Sequence, residues 1–212
     1  MADTVSFLMV ENTSLFDMAN FSPKFFSFSE WVTSVPQLCT RISWRRGGKF
    51  ISHLYIQGHG VPGFQSVGQG VDGVDSSGLV SIGLDPNTGE LHEKTAMYLR
   101  GLRGLFAPGA IVTLGGCQVA AMTTIPVEVT MQQRRQDAQT AGVPLTKWTD
   151  DRYGKVPGTR LLKGVSEALG GVQVQAGTDN QRYLVPGMSG TVWRCTPESC
   201  RNLGSGWWSV PK

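Results

Sequence analysis

Two runs of the chain constrain the fold most. Phe50–Gln57 and Ala110–Leu114 are short, rich in β-branched and aromatic residues, and end abruptly at glycine. The first passes into Gly58-His59-Gly60-Val-Pro-Gly63, the second into Gly115-Gly116-Cys117-Gln-Val-Ala-Ala121. Apolar runs of this length bounded by glycine and proline read as buried strands. Glycine permits a tight turn and a close approach of one backbone to another. A chain with two such strands must place His59 and Cys117 just beyond strand ends.

The intervening segments set the class. Thr4–Val10 reads as a first strand. Ser29–Pro36 reads as a short helix capped by Ser29 and stopped by Pro36, and Cys39–Trp44 as a second strand. Phe64–Leu84, rich in glycine, predicts a small surface hairpin. Leu91–Phe106 has helical spacing and is stopped by Ala107-Pro-Gly109; Gly158–Leu169 has it again, ended by Gly170-Gly171. Val172–Ala176 and Thr191–Arg194 complete the strands. Alternation of this kind predicts an α/β fold, a mostly parallel sheet with helices on both faces. Residues 122–157 are polar and read as a surface insertion, in which Arg134-Arg135 is a candidate protease-sensitive point.

At 212 residues, 40% hydrophobic and 17% charged, the whole chain, residues 1–212, is expected to form a single domain. The net charge of +3 gives no basic face for nucleic acid. No run approaches the ~18 apolar residues of a membrane span. The N-terminal residues carry Asp3, no basic cluster and only a brief apolar run, so a cytoplasmic location is expected. Cys195 and Cys200 either close a small disulfide loop or remain free thiols. With His53, His59 and His92 badly placed to join them, no metal site is expected. Gly68-Gln-Gly-Val-Asp-Gly73 is only a partial phosphate loop, without a helix opening after it, and no cofactor is expected.

The chemistry then lies at the two glycine-flanked ends. In a parallel sheet both ends share one edge. If the strands are neighbours, a thiol and an imidazole meet there, as Cys–His nucleophilic catalysis requires. Small residues after Cys117 suit a helix start, and a helix N-terminus favours the thiolate. The N–H groups of Gly60 and Cys117 are candidates for an oxyanion hole. An inert core thiol is the competing reading of Cys117 taken alone. His53 lies near the other end of its strand, about 20 Å away, and His92 opens a helix; neither suits the role of base.

Leu54-Tyr-Ile-Gln-Gly-His-Gly-Val-Pro-Gly63 and Leu114-Gly-Gly-Cys-Gln-Val-Ala120 resemble the paired motifs of the caspase-like (clan CD) cysteine peptidases. In the caspase signature, Gln-Ala-Cys-x-Gly, the histidine lies about 50 residues upstream; here positions 59 and 117 are 58 apart. The match is nearer to bacterial CHAT-type and His-Gly-x-Pro-Gly domains. It spans about residues 50–121 and 158–181, leaves out the polar insertion, and departs from the caspase motif at Gly116 and Val119. The resemblance implies a three-layer caspase-like fold and an endopeptidase in which Cys117 attacks and His59 moves the proton. It implies a peptide or protein substrate, cut after a charged residue selected by a pocket beside the dyad. Asp179 and Asp75, with Asp72, are candidates for a pocket that selects a basic residue. Self-cleavage after Arg134, Arg135 or Lys155 is a further expectation. The alternative is a catalytically latent domain of the same fold that binds a peptide or partner in the strand-end cleft.

Overall fold

The computed structural model describes residues 3–11, 26–68, 78–85, 88–124, 155–181, 187–205 and 208–209. A seven-stranded sheet forms the centre. Its strands are β1 (Thr4–Glu11), β2 (Phe28–Val32), β3 (Phe50–Gln57), β7 (Phe106–Leu114), β10 (Gln173–Gly177), β12 (Thr191–Cys195) and β13 (Cys200–Ser205). Their order is β13-β12-β10-β7-β3-β1-β2. The five strands from β2 to β10 run parallel; β12 runs antiparallel to β10, and β13 antiparallel to β12, so β12 alone is reversed in this sheet. The expected α/β class with a mostly parallel sheet is what the chain adopts.

Three helices are described: α1 (Val35–Arg45), α2 (Glu93–Arg100) and α3 (Thr159–Ala168). They lie side by side, α2 touching both others, and seal one face of the sheet. That face presents Val5, Phe7, Met9, Leu54, Ile56, Val112, Leu114, Val174 and Ala176, buried with Leu38, Leu99, Leu161 and Val165 of the helices. The opposite face carries the small cluster of Leu8, Val10, Phe26 and Tyr55. Among the described residues no helix covers it.

Two local expectations are overturned near the N-terminal third. Phe28–Val32 is a strand, not a helix capped by Ser29, and Cys39–Trp44 belongs to α1, not to a strand. Ser34 caps α1 by accepting from the Gln37 N–H at 3.3 Å. Pro36 stands in the first turn, where its missing N–H is not needed, so it opens the helix instead of stopping one. Val35, Leu38, Cys39 and Ile42 are the buried positions, spaced as one helical face. The next helix is shorter than its pattern suggests. It ends at Arg100, and β7 begins at Phe106 and runs through Pro108-Gly109, with Gly109 at φ +78° and a register shift against β3.

The expected hairpin is part of a three-stranded antiparallel sheet, β4 (Gly60–Val61), β5 (Phe64–Ser66) and β6 (Ser81–Gly83). Residues 125–154 of the polar insertion lie outside the described residues. Its two ends, β8 (Met122–Thr124) and β9 (Lys155–Pro157), pair antiparallel, so the chain leaves and returns at one place. A further pair, β11 (Gly187–Met188) and β14 (Trp208–Ser209), lies near the C-terminus.

Candidate active site

Four parallel strands deliver their C-terminal ends to one edge of the sheet. β1 ends at Glu11. β3 leads into Gly58-His59, β7 into Gly115-Gly116-Cys117, and β10 into Thr178-Asp179. In an open α/β sheet this edge is where ligands and reactive groups gather. β3 and β7 are direct neighbours in register, Ile56 opposite Leu114, and the Gly115 N–H donates to the Ile56 carbonyl at 2.8 Å. The two turns that follow press against each other. A Cβ on Gly60 would lie 2.7 Å from the Cys117 carbonyl oxygen and 2.8 Å from the Cys117 nitrogen. One on Gly116 would lie 2.9 Å from the His59 carbonyl oxygen and from the Gly60 Cα. No side chain fits at either position, which is the physical content of both glycines.

The residues after Cys117 correct the expectation of a helix start. They form a turn, closed by the Ala121 N–H on the Gln118 carbonyl at 2.8 Å, and β8 follows. No helix dipole therefore acts on the thiol from this segment. Gln118 sits at φ +55°, a left-handed conformation costing a non-glycine residue about 1 kcal/mol. Contacts to the loop after β10 hold it there. The Gln118 N–H donates to the Asp179 carbonyl at 2.9 Å and the Ala120 N–H to the Gly177 carbonyl at 3.0 Å. The same loop reaches the thiol, since the Gln181 N–H lies 3.3 Å from Cys117 Sγ.

His59 and Cys117 are both half-buried. The peptide groups of His59 are pinned on both sides. Its N–H donates to Glu11 Oε2 at 2.9 Å. Its carbonyl accepts from the Ser66 N–H at 2.8 Å and from Gln65 Nε2 at 3.3 Å. Glu11 is fully buried and also accepts from Ser66 Oγ at 2.6 Å. A Cβ on Gly58 would lie 2.8 Å from Glu11 Oε2, so the carboxylate packs on bare backbone.

Asp179 reaches the rim but is turned aside. It is exposed, its Oδ1 accepts from Thr178 Oγ1 at 3.0 Å, and its carboxyl carbon occupies the space a Cβ on Gly190 would need. Asp75 and Asp72 lie outside the described residues. His53 is buried in the sheet, its Nε2 2.9 Å from Thr113 Oγ1, and burial with the nearby Arg194 charge pushes its pKa down to about 4. His92 caps α2, its Nδ1 accepting from the Lys94 N–H at 3.3 Å. Cys195 and Cys200 form a disulfide across β12 and β13, and Cys39 is buried, its thiol pushed up to about 12 by burial. Cys117 is thus the one free cysteine that is not buried. Among the described residues no group of three or more His, Cys, Asp and Glu is placed to hold a metal ion.

Sequence reasoning missed the supporting side chains Glu11, Gln65, Ser66 and Gln181. Glu11, Gln65 and Gln181 are buried and hydrogen-bonded at the rim. A polar residue closing or following an apolar strand, as in Val10-Glu11, was the available signal. No family model, no curated protein and no solved structure matches this chain.

Proposed function

We propose that the chain is a cysteine endopeptidase of three-layer caspase-like fold, acting through Cys117 and His59. The observation that carries this reading is the direct packing of the His59-Gly60 turn on the Gly116-Cys117 turn at the shared strand edge. Cys117 Sγ attacks the scissile carbonyl, forming the C–S bond as the π electrons move to oxygen. The N–H groups of Gly60 and Cys117 hold that oxyanion. His59 takes the thiol proton and returns it to the leaving amine as the C–N bond breaks. Water then hydrolyses the thioester and regenerates the thiol. Asp179 is, among the described residues, the exposed acidic residue at this rim with which a basic substrate side chain would pair, after its carboxylate swings from Gly190. Lys155, the first residue of β9, is a candidate self-cleavage point; Arg134 and Arg135 lie outside the described residues. The Cys195–Cys200 bridge weighs against residence in the cytoplasm, where thiols are kept reduced.

A second reading, a latent domain that binds a peptide, is favoured by one contact. The Gln181 N–H already engages Cys117 Sγ, the two heavy atoms 3.3 Å apart. Fluorogenic peptides bearing Arg, Lys or Asp before the scissile bond separate the two. The peptidase reading expects cleavage that is abolished in Cys117→Ala and reduced about 10²–10⁴-fold in His59→Ala. Peptide binding without cleavage supports the latent domain. Self-processing is refuted if wild type and Cys117→Ala both stay at full length, calcium included.

A further inference from the structure

We propose that Gln65 is a positioning residue that sets the spacing of His59 and Cys117, an inference that rests on the dyad reading above. Gln65 belongs to β5 and is fully buried. Its carboxamide is used at both ends. Nε2 donates to the His59 carbonyl at 3.3 Å and to the Ser66 carbonyl at 2.9 Å. Oε1 accepts from the Gly116 N–H at 2.7 Å. One side chain therefore spans from the peptide of the proposed base to the residue before the proposed nucleophile.

The backbone pairing of the main sheet stops short of this link. β3 and β7 pair as far as Ile56 and Leu114; the Gly115 N–H makes the last backbone rung, and Gln57 Nε2 donates to the Gly115 carbonyl at 3.2 Å, one residue short of Gly116. Beyond these bonds the His59 and Cys117 turns must be aligned by other means. Gln65 joins the turns to each other, while Glu11 ties the His59 N–H and Ser66 back to β1. The bare glycine surfaces at Gly60 and Gly116 let the turns approach closely enough for one carboxamide to bridge them. A carboxamide is the group that can donate and accept at once across this gap. Glutamate would accept from Gly116 but oppose the His59 carbonyl with a second oxygen. Methionine would fill the space and bind neither.

The test is the rate of Cys117 alkylation by iodoacetamide across pH in the intact protein. Cys39 is buried and Cys195–Cys200 is bridged, so they do not interfere. Wild type, His59→Ala, Gln65→Met, Gln65→Glu and the core variant Val165→Ala are compared, with melting temperature measured for each. Both Gln65 variants are expected to lower the rate at pH 7 about tenfold or more, since small misplacements at a reacting centre have large effects. Their pH profiles should move toward that of His59→Ala. Val165→Ala should lower the melting temperature and leave the profile alone. If His59→Ala slows alkylation but both Gln65 variants follow Val165→Ala, Gln65 is merely structural and the proposal is overturned. If His59→Ala leaves the profile unchanged, the dyad itself fails, and the Gln65 role with it. Should neither Gln65 variant fold, hydrogen exchange in the wild type decides: a Gly116 amide as protected as its sheet neighbours supports the bridge, and one exchanging as a loop amide overturns it.

Discussion

Gly60 and Gly116 define the site more tightly than any side chain. An added methyl at Gly60 meets backbone atoms of Gly116 and Cys117 inside 3 Å, and backbone cannot swing away as a side chain can. Gly60→Ala is therefore expected to cost about 1–3 kcal/mol, as overpacking does, and to abolish Cys117 reactivity by forcing the turns apart. Urea unfolding and thiol alkylation check the two effects; a variant equal to wild type in both would remove the close packing from the account. Gln118→Gly should act the other way. Relief of the left-handed strain stabilises by about 1 kcal/mol, read as a higher urea midpoint. At this scale the sequence was legible where glycine punctuates strands, at His59 and Cys117. It was not legible at Gln65 or Glu11, because a buried glutamine or glutamate carries no pattern of its own. Its role exists only once two distant turns meet.

Polar chemistry also organises one face of the sheet. Arg194 donates through Nε to Gln175 Oε1 at 2.9 Å, Gln175 Nε2 donates to Thr113 Oγ1 at 3.0 Å, and Thr113 meets His53 Nε2 at 2.9 Å. This row crosses β12, β10, β7 and β3. Burial, and then the Arg194 charge, lower the His53 pKa from 6.5 to about 4. Between those values the unfolded chain binds a proton that the folded chain refuses. Stability from this group is thus full above pH 6.5 and falls as pH drops toward 4, by about 3 kcal/mol in all. His53→Gln should flatten that slope in urea titrations run across the window; an unchanged slope would contradict it. At the sheet margin, reducing Cys195–Cys200 should lower stability by about 2 kcal/mol, the loop-entropy value for so short a ring, seen as a lower melting temperature in reductant.

Two causes separate the sequence reading from the elements observed. Cys39–Trp44 contains β-branched and aromatic residues that favour strands in isolation, yet its buried positions fall on a helical face. Tertiary burial outweighed propensity. A proline marks either end of a helix, and only the Ser34 cap, with Pro36 in the first turn behind it, shows that Pro36 opens one.

At the scale of the whole molecule, the parallel order β2-β1-β3-β7-β10 brings Glu11, His59, Cys117 and Asp179 to a single edge. The alternation of strands and helices made this class legible. The edge strand β13 was not, because Cys200–Ser205 is polar and four of its six residues are exposed. The pairing of Thr124 with Lys155 makes the insertion separable. Replacing residues 125–154 by a four-residue turn should leave a cooperative unfolding transition, since β8 and β9 already bring the two ends together. Loss of cooperative melting would show that the insertion is part of the core.

The central claim is that Cys117 is a nucleophile served by His59. Labelling of the intact protein with acyloxymethyl ketones bearing Arg, Lys or Asp, mapped by mass spectrometry, tests it most directly. The account predicts rapid modification at Cys117 alone, selective among the three probes and lost in His59→Ala. Slow labelling without preference among probes, or labelling of Cys117 that persists unchanged in His59→Ala, would contradict it.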